Sequence, residues 1–191
     1  MSKQLPRKSA WRGLRRDRSA AAALEFAVVA LPFITFLVFL LEIGYDFFAQ
    51  VSLDYGVQTA ARQIQIGNAQ GANTAAVFQT DYLCPALSGL LPCSSVTVNV
   101  TPITSDYYSS VSATLPVNSS GTFSTSGFTY CPGSPNQLML VQAYYLSPSL
   151  VAAVVPSMAA STAGGLQRVT VSSMAFINEN FPVTSPAPAG C

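Results

Sequence analysis

The chain opens polar and basic, turns apolar at Ala20, and from Phe26 to Leu41 runs sixteen residues without a charge. With Ala20 to Leu24 ahead of it, this run reaches the ~20 residues an α-helix needs to cross ~30 Å of hydrocarbon. Ala21, Ala22, Ala23 and Leu24 are strong helix formers. Pro32 would kink a soluble helix, but a membrane helix tolerates it because neighbours and local adjustment satisfy the freed carbonyl. The helical pattern continues past the apolar run. Leu53, Val57, Ala60, Ala61 and Ile64 recur at helical spacing among Asp54, Gln58, Arg62 and Gln65, and Gly67 and Asn68 read as the stop. A helix over Ala21 to Ile66 is about 70 Å long at ~1.5 Å per residue. Only its first half fits in lipid, so the second half is a stalk whose apolar stripe packs on a globular domain.

Beyond a second helical stretch (Asn73 to Leu83) the period changes from helical to two. Val96, Val98 and Val100 alternate with Thr97, Asn99 and Thr101, the signature of a half-buried strand. Val111 to Val117 is a weaker strand, interrupted near Pro116, and Asn118 to Gly127 is a Ser/Thr/Gly loop. Gln137 to Leu146 is apolar and aromatic enough for a central strand. Leu150 to Met158 reads as a short helix or core crossover, too short for a second span. Gly164 and Gly165 introduce a final strand, Gln167 to Ile177, with Val169, Val171, Ser173 and Ala175 on one face. The pattern predicts an α+β protein: a long N-terminal transmembrane and stalk helix, then a small antiparallel β-sheet domain with disulfides.

Charge gives this layout a direction. Seven of the nine basic residues (Lys3, Arg7, Lys8, Arg12, Arg15, Arg16 and Arg18) precede the apolar run. By the positive-inside rule that flank stays in the cytoplasm and everything after Tyr45 is exported. The expected organisation is a basic cytoplasmic leader over 1–20, a transmembrane helix over 21–45 and a helical stalk over 46–67. A periplasmic α+β domain follows over 68–181, and a flexible tail over 182–191. Within the leader, the stretch around Trp11 and Leu14 has an amphipathic character suited to a lipid surface. After Phe48 two cations, Arg62 and Arg168, face four acids, Asp54, Asp81, Asp106 and Glu179, a net of −2. Such a surface does not hold the clustered Lys and Arg that nucleic-acid phosphates require.

The four cysteines, Cys84, Cys93, Cys131 and Cys191, all lie on the exported side, where an even number reads as a disulfide framework. Three pairings are open. Cys84 with Cys93 closes a short loop bearing Pro85, Gly89 and Pro92, and Cys131 with Cys191 would then pin the tail. A zinc site is poorly served, since no C-x-x-C spacing occurs and the chain has no histidine. The same absence removes Ser/His/Asp and Cys/His nucleophile systems. Gly164-Gly165 lacks the following Lys or the glycine spacing of a phosphate loop. No cofactor, small-molecule substrate or catalytic residue is expected, and the reading is of a protein that is not an enzyme.

Glu25 is the exception within the apolar segment, because an ionised carboxylate in lipid asks for a partner. The stretch Arg18-Ser-Ala-Ala-Ala-Ala-Leu-Glu-Phe26 resembles the processing site of type IV prepilins, a small residue followed by four residues, then Glu and an aromatic. Ala23-Leu-Glu-Phe-Ala-Val-Val-Ala-Leu-Pro32 resembles the opening of TadE-like proteins, minor pseudopilins of the Flp (tight adherence) pilus system. Glu42-Ile-Gly-Tyr45 is similar to that family's exit from the membrane, Ala60-Ala-Arg62 to its stalk segment, and Phe176-Ile-Asn-Glu-Asn-Phe181 to a signature near the end of its chains.

The resemblance implies cleavage between Ala20 and Ala21 by a membrane prepilin peptidase, which makes Glu25 the fifth mature residue. Where the family usually carries Gly before the cut, this chain has Ala20. In an assembled bundle Glu25 can neutralise the free amine of a neighbouring subunit, a pair worth far more in low dielectric than in water. The implied partners are the membrane, the peptidase, other pilins or pseudopilins and the assembly platform. The implied role is in pilus biogenesis, adherence and biofilm formation. The alternative is an unprocessed, single-pass, membrane-anchored periplasmic binding or envelope protein. Glu42 and Asp46, one turn apart, read as a hydrated membrane boundary beside an interfacial belt of Tyr45, Phe47 and Phe48.

Overall fold

The computed structural model of the chain describes residues 18–87, 89, 91–103, 116–118, 120, 122–149, 160–162, 165–186, 188 and 191. The leader stretch around Trp11 and Leu14, most of the weak strand at 111–117 and the short helix expected at 150–158 lie outside these residues. The first element is a continuous α-helix, α1 (Arg18–Gln65), with Pro32 inside it. The chain divides into two compact units, Met1–Leu41 and Glu42–Cys191.

The first unit is the apolar half of α1. Leu24, Phe26, Val28, Val29, Leu31 and Leu41 are all at least 66% exposed, and none of the most apolar window is buried. A face-less apolar helix of this kind finds no water-soluble solution for its surface, and α1 is long and apolar enough to cross a membrane. Thr35 turns its hydroxyl back to the Leu31 carbonyl at 2.8 Å, satisfying itself within the helix.

The second unit is built on the other half of α1. That half ends where Gly67 adopts φ 82°, and Gly67 N–H bonds back to the Ile64 carbonyl at 3.0 Å. A 3₁₀ turn (Asn68–Gly71) leads to a helical stretch capped by Thr74, whose hydroxyl accepts from Val77 N–H. This stretch comprises α2 (Ala75–Phe78), a π turn (Gln79–Leu83) and α3 (Cys84–Ala86). Strands β1 (Val96–Pro102), β2 (Leu138–Pro148), β3 (Ala160–Thr162) and β4 (Gly165–Ile177) form one antiparallel sheet in the order β1-β2-β4-β3. The apolar segment expected to be central is indeed central: β2 pairs with β1 on one side and with β4 on the other.

Register decides which face becomes core. Val96, Val98 and Val100 stand opposite Tyr145, Ala143 and Val141, and Met139 stands opposite Phe176. These residues share one apolar cluster with Ala49, Leu53, Val57, Ala60, Ala61 and Ile64 of α1. The stripe expected on the stalk is therefore the core face of the domain, each of its five residues at most 1% exposed. Gly56 allows this closeness, since a Cβ there would come 2.6 Å from Leu87 Cδ2. On β4 the buried positions are Thr170, Ser172 and Phe176, with Met174 packed against the core. The Val169, Val171, Ser173 and Ala175 set occupies the more open face, because pairing with β2 turns the hydroxyl-rich face inward. Opposite the core, Tyr144 is covered by Phe128 and Phe123, with ring centroids 5.0 and 5.8 Å away.

Two disulfides close the structure, Cys84–Cys93 and Cys131–Cys191. The second ties the last residue to the segment ahead of β2. Before that, Gln70 holds the tail with both ends of its amide, donating to the Pro182 carbonyl at 3.1 Å and accepting from Thr184 N–H at 2.9 Å.

Candidate functional site

The polar residues that matter lie along one line of α1. Glu42, Asp46, Gln50 and Asp54 are spaced one turn apart, so their side chains leave the helix on the same side. In the second unit this line meets the ends of β2 and β4. Ser149 donates to Glu42 Oε1, Tyr45 and Tyr145 share a hydroxyl hydrogen bond of 2.7 Å, and Arg168 Nη1 lies 2.6 Å from Asp46 Oδ2. Gln50 donates to both Asp54 Oδ1 (3.0 Å) and the Val171 carbonyl (3.1 Å). Glu42 and Asp46 are thus engaged by their own domain, not held in a hydrated boundary as the sequence had implied. Asp46 is only 15% exposed.

The electrostatics follow from that burial. Desolvation pushes the Asp46 carboxyl above its ordinary value of 3.8; Arg168 opposes the shift and Glu42 adds to it. Burial likewise raises the Tyr145 phenol, helped by the hydrogen bond it shares with Tyr45. An acid with a raised folded pKa contributes stability that is full below its unfolded pKa and lost as pH rises through the folded one. Arg168→Ala removes the attraction that limits this loss. Its deficit relative to the parent chain is expected to be small in acid and to grow toward neutrality to on the order of 1 kcal/mol. Thermal midpoints of the two chains across this range check it, and parallel curves would show that Arg168 acts by packing alone.

A second junction lies at the other end of the domain, where two motifs separated by more than a hundred residues meet. Arg62 Nη1 pairs with Glu179 Oε1 at 2.8 Å, Glu179 N–H donates to the Gln65 carbonyl at 2.8 Å, and Gln65 donates to the Ile177 carbonyl at 3.3 Å. The Phe176 to Phe181 stretch that carried the resemblance serves this junction, the core and the turn ahead of β2. Phe176 enters the core, and Asn178, 1% exposed, donates to the Pro132 and Ser134 carbonyls at 2.9 and 3.0 Å. Phe181 lies against Gly67, where a Cβ would come 2.5 Å from the ring. With Gln50 on Val171 and Gln65 on Ile177, β4 runs alongside α1 in the same direction. Six strand residues at ~3.3 Å span about the same length as fifteen helical residues at ~1.5 Å.

The residues of the expected processing site sit apart from both junctions. Ala20 and Ala21 lie in the first turn of α1, where the leading N–H groups have no helical acceptor. Glu25 is exposed one turn further on and has no partner among the described residues. Cys84, Cys93, Cys131 and Cys191 are all in disulfides, and among the described residues no cluster of His, Cys, Asp or Glu could hold a metal ion. Sequence reasoning missed the Asp46–Arg168, Tyr45–Tyr145 and Gln50–Val171 contacts. The available signal was Arg168 itself, one of only two cations after Phe48, but nothing in the spacing named its partner.

Fold and site together define a class: an apolar N-terminal helix suited to membrane anchoring, continuous with the core helix of a disulfide-bonded α+β head. A family model described as TadE-like protein matches residues 20–62. The match agrees with the resemblance over that segment, from the expected cut to the arginine that pairs with Glu179; the Phe176 to Phe181 stretch lies outside it. No curated protein and no solved structure matches the chain.

Proposed function

We propose that this chain is a minor pseudopilin of the Flp/Tad pilus system, taking part in pilus biogenesis and through it in surface adherence and biofilm formation. The observation that carries this reading is the TadE-like match over residues 20–62, which includes Ala20, Ala21 and Glu25. Its N-terminus is cytoplasmic, the apolar half of α1 spans the inner membrane once, and the disulfide-bonded head is periplasmic. A membrane prepilin peptidase cuts between Ala20 and Ala21, which costs little unwinding at a first helical turn. The new ammonium at Ala21 and the carboxylate of Glu25 are then the two charged groups of an otherwise apolar segment. Across subunits in a bundle each can neutralise the other, and either one left alone in low dielectric is penalised.

The partners are other pilins or pseudopilins and the assembly platform, which draws the helix out of the bilayer. The second half of α1 is part of the core of the head. Glu25→Gln keeps size and shape and removes the charge. It is expected to abolish piliation while leaving the amount of protein in the membrane unchanged, as read by electron microscopy of cells beside an immunoblot. Normal piliation would favour the unprocessed membrane-anchored envelope protein instead.

A further inference from the structure

Beside the Asp46–Arg168 pair, α1 and the start of β4 enclose a cleft of about 450 Å³. Ile43 and Phe47 line it from α1, and Val169 and Val171 face them from β4. Gln50 lines it too and donates to the Val171 carbonyl at 3.1 Å, joining the two walls at the end farthest from the apolar half of α1. Ile43 and Phe47 are 58% and 75% exposed, so the fold leaves this apolar wall open. Ligand sites have volumes of roughly 300–1,000 Å³ and apolar walls around a few placed charges, and the cleft has both.

Its place along α1 selects the kind of ligand. A span beginning at Ala21 has used its ~20 residues by Leu41. Asp46 lies five residues further on, about 7.5 Å of helix, against a headgroup layer of roughly 5–7 Å on each side. Asp46 and its partner Arg168 therefore stand at headgroup height, among the interfacial aromatics Tyr45, Phe47 and Phe48. Arg62, the other cation after Phe48, is sixteen residues beyond Asp46, about 24 Å of helix.

The charges then choose between lipids. Arg168 uses Nη1 on Asp46, and a guanidinium has further N–H groups in a fork that suits phosphate. Glu42, one turn away on α1, places its charge within reach of Asp46, so two carboxylates stand against one cation. A purely anionic headgroup meets a net negative charge here. A headgroup with an ammonium beside its phosphate satisfies both signs.

We propose that the cleft between α1 and the start of β4 binds the headgroup of one zwitterionic aminophospholipid, of the phosphatidylethanolamine class. Its phosphate sits on Arg168, its ammonium faces Asp46 and Glu42, and its glycerol lies between Phe47 and Val169. The site rests on the reading that α1 spans the membrane, and it adds a specific ligand at the point where the chain leaves the bilayer.

The test is native mass spectrometry of the full chain in detergent, with phosphatidylethanolamine and phosphatidylglycerol of the same acyl chains supplied in equal amounts. One phosphatidylethanolamine per chain is expected, retained over phosphatidylglycerol by about fivefold. Arg168→Gln removes the phosphate contact, and Val169→Trp fills the cleft while leaving every charge in place. Both are expected to lose the adduct, and Arg62→Gln is expected to keep it. Thermal midpoints show which variants are folded, and either folded variant decides the outcome alone. Equal retention of the two lipids, no retained lipid, or an adduct that survives in a folded Arg168→Gln or Val169→Trp chain would overturn the inference. Equally tight binding of glycerophosphoethanolamine, the headgroup without acyl chains, would make the ligand a soluble phosphoester and overturn it as well. Retention of the chain in the pellet after alkaline carbonate washing of native membranes reports the membrane reading separately, so loss of one result is not mistaken for loss of the other.

Discussion

Replacing Cys131 and Cys191 together by serine is expected to destabilise the head by about 4 kcal/mol, the loop-closure value for a cross-link spanning 60 residues. The bond joins the last residue to the segment leading into β2, and between its ends lie β2, β4 and the whole of the Phe176 to Phe181 stretch. Without it the tail is held by Gln70 and by Phe181 on Gly67, contacts that are largely exposed. The pair Cys84 and Cys93 encloses a separation of nine residues, and its loss should cost less, about 2.5 kcal/mol. Denaturant midpoints of the detergent-solubilised full chain, parent against each double serine variant, check the order. A larger loss from the short loop would mean that the tail contributes little to the folded head.

Leu53→Ala is expected to cost about 2–5 kcal/mol, the range for emptying a fully buried leucine site. Leu53 is 0% exposed in a cluster with residues of β1 and β2. The second half of α1 is either a spacer or the element against which the sheet folds. If it were a spacer, truncating one leucine would change little. As the element against which the sheet folds, it has its apolar side chains in place of a second sheet, and a cavity there is felt by both. Gln58→Ala on the exposed side of the same helix should stay within about 0.5 kcal/mol. Equal effects at the two positions would contradict the packing described for α1.

Much of this was legible in the sequence because it follows from period and charge. The change from helical to two-residue repeat placed α1, β1, β2 and β4 close to their observed bounds, and Gly67 marked the end of α1. The pairing Cys84 with Cys93 and Cys131 with Cys191 was one of three that the sequence left open. What stayed hidden depends on three-dimensional register. The valines of β4 marked a face but not that the opposite face, with Thr170 and Ser172, would point at the helix. Gln50 and Gln65 reach the β4 backbone from α1, and neither glutamine advertises this in sequence. Glu42 and Asp46 looked like solvated boundary acids because their partners, Ser149 and Arg168, arrive from more than a hundred residues away.

The two motifs at Ala60 to Arg62 and Phe176 to Phe181 show how a family resemblance acquires physical content. Each looked like an isolated signature. Together they are one joint, in which small Ala60 and Ala61 let the sheet approach and Arg62 meets Glu179. The ion pair itself is half-exposed and worth little alone. Its place beside the bonds from Glu179 N–H to the Gln65 carbonyl and from Gln65 to the Ile177 carbonyl is what fixes the end of β4 to the end of α1.

Removal of the basic leader is the step that separates a pseudopilin from a permanent anchor. The most direct measurement is the intact mass and N-terminal sequence of the membrane-extracted protein from cells with and without the prepilin peptidase. The expected result is a mature chain beginning Ala21-Ala22-Ala23-Leu24-Glu25 only where the peptidase is present. A chain retaining Lys3 to Arg18 in both would contradict the processing step and leave a single-pass anchor with a disulfide-bonded head.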